Sequence, residues 1–215
     1  TGETGELKVG TQCIFCYRWL PEVLGQFQEK FVNVDLEIGN CVDVFHDLEN
    51  ADFHLVISVA PEPLDRVVKV PLFRDELVAI LHPDHALARK NYIELTDFKD
   101  EKFISIWPMP RNRFFQKVLK PAGILPRRFL VVEDPAAAME IVAAGFGIAM
   151  APAWAVRPLV ESGRLESLPV TRAGLFLTWY AVFLKNDPNP VFMHEFIRLV
   201  GRAGIALPPK QHNKT

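Results

Sequence analysis

The sequence predicts an α/β protein made of two units of similar plan, and three observations carry that prediction. Strand-like apolar runs alternate with helical spacing over roughly the first sixty residues. The alternation restarts at "DELVAIL" (75–81), and a final strand and helix return after the second unit closes. A β-α-β-α-β beginning implies a parallel sheet with right-handed crossovers. The expected divisions are a linker remnant at 1–6, a first lobe of 7–74 with 175–204, a second lobe at 75–174, and a disordered tail at 205–215.

"LKVGT" (7–11) reads as the first strand. Trp19, Leu20, Val23, Leu24, Phe27 and Phe31 then recur at helical spacing, with the helix starting near Arg18 or distorted there by Pro21. "VDLEI" (34–38) is the second strand, followed by a short helix ending near Asn50, a residue type that tolerates the left-handed conformation. "FHLVIS" (53–58) is the third. In the second unit come a turn, "HPDHALA", a strand "FISI" (103–106), a helix near 112–120, and the strand "RFLVV" (128–132). A well-marked helix follows at 135–144, with Asp134 as N-cap, Pro135 at its first position and Gly145 just past its end. "GIAMA" (147–151), "LFLTWYAVFL" (175–184) and an amphipathic helix over 190–203 complete the pattern.

Bulk properties narrow the function classes. A formal charge of −2 gives no long-range pull toward nucleic acid or an anionic membrane. No apolar run approaches the ~20 residues a membrane span needs. The start, "TGETGELKVG", lacks Met and a signal-peptide core and reads as the edge of a fragment. Three cysteines, an odd number, fit a reducing compartment, and a cytoplasmic location is expected.

Cys13 and Cys16 stand in a C-x-x-C spacing between a strand and a helix, where a thioredoxin-like site would place them. The bulky Ile14-Phe15 pair and the surplus of remaining chain argue against a thiol oxidoreductase. Only Cys41 is left to complete a metal site, so no metal is expected. His82 and His85 are spaced H-x-x-H, but Pro83 and Asp84 make that stretch a turn. There is no G-x-S-x-G, no H-E-x-x-H and no phosphate loop, so the chain reads as a non-enzyme without a cofactor.

Ligands of parallel sheets collect outside the carboxyl ends of strands, and two lobes joined by crossing strands leave a cleft. That rule selects Thr11, Gln12, Cys13, Ile14, Phe15, Asn40, Cys41 and Ser58 in the first lobe. In the second it selects Trp107, Pro108, Arg111, Arg113, Glu133 and Asp134. The two arginines of "WPMPRNRFF" have the chemistry to clamp a carboxylate.

"LPEVLGQFQEKFVNVDLEI", "LVAILHPDHALA" and "IVAAGFGIAMAP" resemble the effector-binding domain of LysR-type transcriptional regulators over residues 5–203. The C-x-x-C with Trp19-Leu20 behind it, and "LKPAGILP", resemble the methionine-biosynthesis branch of that family. The resemblance implies a periplasmic-binding-protein type 2 fold with a small-molecule effector in the cleft. In that branch the effector is homocysteine. It also implies a homodimer or homotetramer in which the first-lobe helix, with Gly25, packs on the second lobe of another subunit. DNA would be reached only through a winged helix-turn-helix preceding Thr1, with no membrane role. A solute-binding protein of a transporter shares the fold and is the alternative, distinguished by an export signal upstream.

Overall fold

The computed structural model describes residues 3–12, 20–59, 65–186, 188 and 190–205. The chain divides into two compact units, one of Thr1–Arg74 with Leu177–Pro208, the other of Asp75–Phe176 with Pro209–Thr215.

In the first unit, β1 (Thr4–Thr11) is flanked by β2 (Asn33–Asn40) and β3 (Leu55–Val59), both parallel to it. β9 (Phe176–Leu184) runs antiparallel to β3, so parallel order gives way to a returning strand. Helix α1 (Leu20–Lys30) forms because Leu20, Val23 and Phe27 fall on one buried stripe, with Phe31 one turn on. Pro21 sits in its first turn, where its missing N–H costs nothing. The stripe packs on α5 (Val191–Ile205) through an edge-on contact of Phe27 with Phe196, ring centres 5.5 Å apart. Helix α2 (Val44–Glu49) is opened by Asp43, whose carboxylate accepts from the amides of Phe45 and His46 at 3.1 Å. At its end the left-handed residue is Ala51 (φ 57°) and not Asn50, which keeps right-handed angles. Asn50 instead directs its side-chain amide at His46 Nε2, 3.0 Å away.

The strand expected to open at Asp75 begins earlier. β4 (Val67–Leu81) is fifteen residues long and passes from the first unit into the second at Arg74/Asp75. In the second unit it pairs antiparallel with β7 (Ile148–Pro152) and β8 (Glu166–Pro169). β5 (Lys102–Ser105) is parallel to both β7 and β6 (Arg128–Val131), which is the edge. Gly147 is required where β7 meets β5, since a Cβ there would lie 2.2 Å from the Lys102 carbonyl oxygen.

Helix α3 (Pro135–Ala143) has the predicted ends: Asp134 Oδ1 accepts from Ala137 N at 2.7 Å, and Gly145 is left-handed (φ 78°). Helix α4 (Ala153–Glu161) and β8 were not foreseen; Pro158 inside α4 disguises it. The stretch expected as a helix over 112–120 is wound as a five-residue π-helix, Phe115–Leu119, which turns Phe115 and Leu119 into the core. There Phe98, Phe103, Phe114 and Phe129 cluster, with centroids 5.2 to 5.9 Å apart. No helix among the described residues is long and apolar enough to cross a membrane.

Candidate functional site

Three parallel strands of the first unit end together. Thr11 closes β1, Asn40 closes β2 in register with it, and Ser58 is the last residue but one of β3. The Cys41 amide donates to the Thr11 carbonyl at 2.9 Å, and the Gln12 amide donates to the Ile57 carbonyl at 3.2 Å. Gln12 then joins all three ends with its side chain. Its Oε1 accepts from the Ser58 hydroxyl at 2.5 Å, and its Nε2 reaches the Val42 carbonyl at 3.5 Å. Thr11 and Ser58 are buried while Gln12 and Asn40 are exposed, so the strand ends themselves present neutral polar groups, with the Asp47 carboxylate next to them on the Val42 amide.

The floor rests on a feature the sequence reading missed. Gly10 and Gly39 face each other across β1 and β2, and the ring of Phe53 fills the slot they leave. A Cβ on either glycine would stand 2.7 or 2.8 Å from that ring. The visible signal is a glycine immediately before the end of each of two strands (Gly10, Gly39) with an aromatic soon after (Phe53).

Cys41 is buried beside this floor. Burial, then a hydrogen bond to Asp47 and the charges of Asp47 and Asp43, push its thiol well above the ordinary cysteine range. A thiol held protonated is a packing group and not a nucleophile. Asp47 is itself occupied, accepting from the amides of Val42 and Asp43 at 3.2 and 3.4 Å. Cys13, Ile14, Phe15 and Cys16 lie outside the described residues.

The predicted residues of the second unit gather at the carboxyl end of β5. Ser105 is buried there, and its Oγ accepts from the Trp107 amide at 3.0 Å and from Asn112 Nδ2 at 2.8 Å. Asn112 Oδ1 accepts from Phe115 N at 2.7 Å, so Asn112 and not an arginine organises the start of that turn. The Arg111 guanidinium lies 5.0 Å from the centre of the exposed Trp107 ring. Pro108 opens the short 3₁₀ turn that carries Arg111, and Arg113 is exposed. Glu133 is also exposed, while Asp134 spends one oxygen on its helix cap.

Other candidates resolve as structure. His82 Nδ1 accepts from Asp84 N at 3.1 Å and His85 Nδ1 accepts from Leu87 N at 3.2 Å, so the H-x-x-H pair builds a turn. His85 Nε2 lies 3.3 Å from Glu101. Among the described residues no group of three or more His, Cys, Asp or Glu is placed to hold a metal. A hollow of about 350 Å³ in the second unit is lined by His82, Glu140, Ala143, Ala144, Gly163 and Arg164. Its two charges, Glu140 and Arg164, pair with each other on the open surface, which leaves no charge to orient a ligand.

Two α/β units, with neutral polar groups at the parallel strand ends of the first, make a candidate small-molecule binding domain. The chain belongs to the LysR substrate binding domain family, whose model matches residues 1–204. It is similar to the HTH-type transcriptional regulator MetR of Haemophilus influenzae, with 33% identity over 93% of this chain. It spans about 65% of that relative's length. The regulatory domain of a LysR family regulator (MetR) from N. meningitidis has the same fold, with a TM-score of 0.82 and 30% identity; the match covers 95% of this chain and 96% of that one. The effector binding domain of QuiR in complex with shikimate shares the fold at a TM-score of 0.74 and 20% identity, covering 95% of this chain and 99% of that one. The chain is thus an effector-binding domain of the LysR type, similar to MetR regulators, and the relatives it matches are regulators of transcription.

Proposed function

We propose that this domain binds a small amino-acid-like metabolite, of the size and chemistry of homocysteine, and relays its presence to a DNA-binding domain outside this chain. The observation that carries the reading is the joint ending of β1, β2 and β3, tied by Gln12 and Ser58 into one polar floor. The strand ends offer a zwitterion neutral hydrogen-bonding groups, and the carboxylates of Asp43 and Asp47 beside Cys41 favour its ammonium end.

In this reading Thr11 and Gln12 hold the ligand carboxylate, aided by Arg111 or Arg113. Glu133, Asp134 or a carbonyl near Ser58 accepts from its ammonium. The apolar or sulfur-bearing end meets Cys13, Ile14, Phe15, Cys41 and Trp107, with Asn40 and Pro108 at the margins. The ligand acts by population shift, through its different affinity for two arrangements of the protein. The same reading makes the protein cytoplasmic, a homodimer or homotetramer, and a DNA binder only through its missing part.

Calorimetric titration with homocysteine, methionine and cysteine tests it. Saturable binding of at least one of them, weakened tenfold or more by Thr11→Val with Arg111→Ala, is expected. Equal binding by the variant, or no binding of any amino acid, overturns it.

A further inference from the structure

By position Ser105 is a counterpart of Ser58: it closes β5 in the second unit as Ser58 nears the end of β3 in the first. Its hydrogen bonds give it another role. A serine hydroxyl can donate once and accept twice. Ser105 Oγ donates to the Trp107 carbonyl at 2.6 Å and accepts from the Trp107 amide at 3.0 Å and from Asn112 Nδ2 at 2.8 Å. That capacity is spent, and the residue is buried, so Ser105 has nothing left to offer a ligand. Asn112 is committed to the chain at both ends, since its Oδ1 accepts from Phe115 N at 2.7 Å.

What these two residues hold is the loop between them. One hydroxyl fixes both backbone groups of Trp107. Further along, the amides of Arg111 and Asn112 donate to the Pro108 carbonyl at 2.8 and 3.0 Å, and Gln116 Nε2 donates to the Met109 carbonyl at 3.0 Å. Pro108 and Pro110 fix two more backbone angles. On this fixed loop the Arg111 guanidinium lies over the Trp107 ring, 5.0 Å from its centre. Stacking uses the flat face of a guanidinium, while its N–H donors lie in the plane of the group and match the two oxygens of a carboxylate. Residues 102–132 contain no acid, and no carboxylate pairs with Arg111 among the described residues. Arg113 already has a partner within the chain.

We propose that Ser105 and Asn112 are positioning residues that hold Trp107 and Arg111 as one preformed carboxylate-binding element, in which Arg111 and not Arg113 meets the ligand. They act through Arg111 without touching the ligand, because a donor group already held in place loses less freedom on binding. This rests on the reading above, in which an amino-acid carboxylate meets an arginine of this loop.

Calorimetric titration with homocysteine, methionine and cysteine, each beside its carboxamide, tests it. Circular dichroism melts establish that each variant is folded. A charge-assisted pair is worth about tenfold or more in affinity, so wild type should prefer an amino acid to its carboxamide by at least that factor. Asn112→Ala should weaken the amino acid about fivefold and leave the carboxamide within about twofold, through the freedom restored to the loop. Arg111→Ala should abolish the preference. Adding Asn112→Ala to it should cost nothing more, since a positioning residue has no effect once its target is gone. If Asn112→Ala does not fold, Asn112→Ser takes its place with the same expectations, because its hydroxyl can still cap Phe115 but falls short of Ser105. A folded Asn112 variant that binds both compounds like wild type, weakens both equally, or adds its full loss to that of Arg111→Ala would overturn the inference and leave the reading above standing. A wild-type chain that binds no amino acid, or none better than its carboxamide, would overturn both.

Discussion

The Ser58 hydroxyl donates to Gln12 Oε1 at 2.5 Å and so fastens the end of β3 to the end of β1. The two residues are 46 positions apart, and the same Gln12 side chain reaches on to Val42. A buried hydroxyl thereby fixes an exposed amide that faces solvent, the arrangement of a ligand group held ready by the layer beneath it.

Ser58→Ala should therefore cost little stability, ~0.5–1.5 kcal/mol, because Gln12 can turn to water once released. The same change should cost more in ligand binding than in folding. Urea unfolding beside calorimetry checks this. A variant that loses stability heavily while binding as before would mean that the pair is only structural.

The Phe53 slot makes a sharper prediction about stability. Adding a methyl at Gly10 or Gly39 drives it into the Phe53 ring, and overpacking of that kind costs ~1–3 kcal/mol. Gly25 is the control: a Cβ there meets nothing within 4 Å, and it lies inside α1. Gly25→Ala should stabilise by ~0.5–1 kcal/mol through helix propensity. Thermal melts of the three alanine variants should thus move in opposite directions.

Cys41 should resist thiol reagents in the folded chain at pH 8, since burial and Asp47 keep its sulfur protonated. Mass spectrometry after a short alkylation pulse, native against unfolded in urea, reads this directly. Labelling of Cys41 at the same rate in both states would contradict it.

Acid should weaken the packing of α1 on α5. Glu195 accepts from Arg198 Nε at 2.8 Å and Nη2 at 2.5 Å, and Lys30 adds its charge from 3.2 Å. Arg198 first, then Lys30, hold the Glu195 carboxyl down at about 2, below its ordinary 4.5. A carboxylate depressed in the folded state stabilises it above the unfolded value, so that contribution is complete above about pH 4.5 and disappears as pH falls toward 2. In Arg198→Ala the loss of stability between those values should be smaller than in wild type, as measured by urea unfolding at pH 6, 4.5, 3 and 2.

Much of this was legible in the sequence, for identifiable reasons. Fold class followed from apolar periodicity, and the ends of α3 followed from Asp134, Pro135 and Gly145, whose side-chain chemistry acts within a few residues. What escaped depends on distant neighbours. The first half of β4, "VVKVPLFR", alternates too weakly around Pro71 to read as a strand, and α4 is masked by Pro158. The expected helix over 112–120 takes π geometry because two adjacent phenylalanines, Phe114 and Phe115, both turn inward. At the candidate site the strand-end rule led to Thr11, Gln12, Asn40, Cys41 and Ser58, which the fold brings together. It said nothing of Phe53, or of Ser105 and Asn112, because those positions act by packing and positioning from beneath.

The central claim is that ligand recognition starts at the joined ends of β1, β2 and β3. Its most direct test is a titration of homocysteine into the ¹⁵N-labelled chain, following each backbone amide. The largest saturable shifts should fall on Gln12, Cys41, Val42 and Ser58. Shifts centred instead on the hollow of His82, Glu140 and Arg164, with the strand ends unmoved, would contradict it.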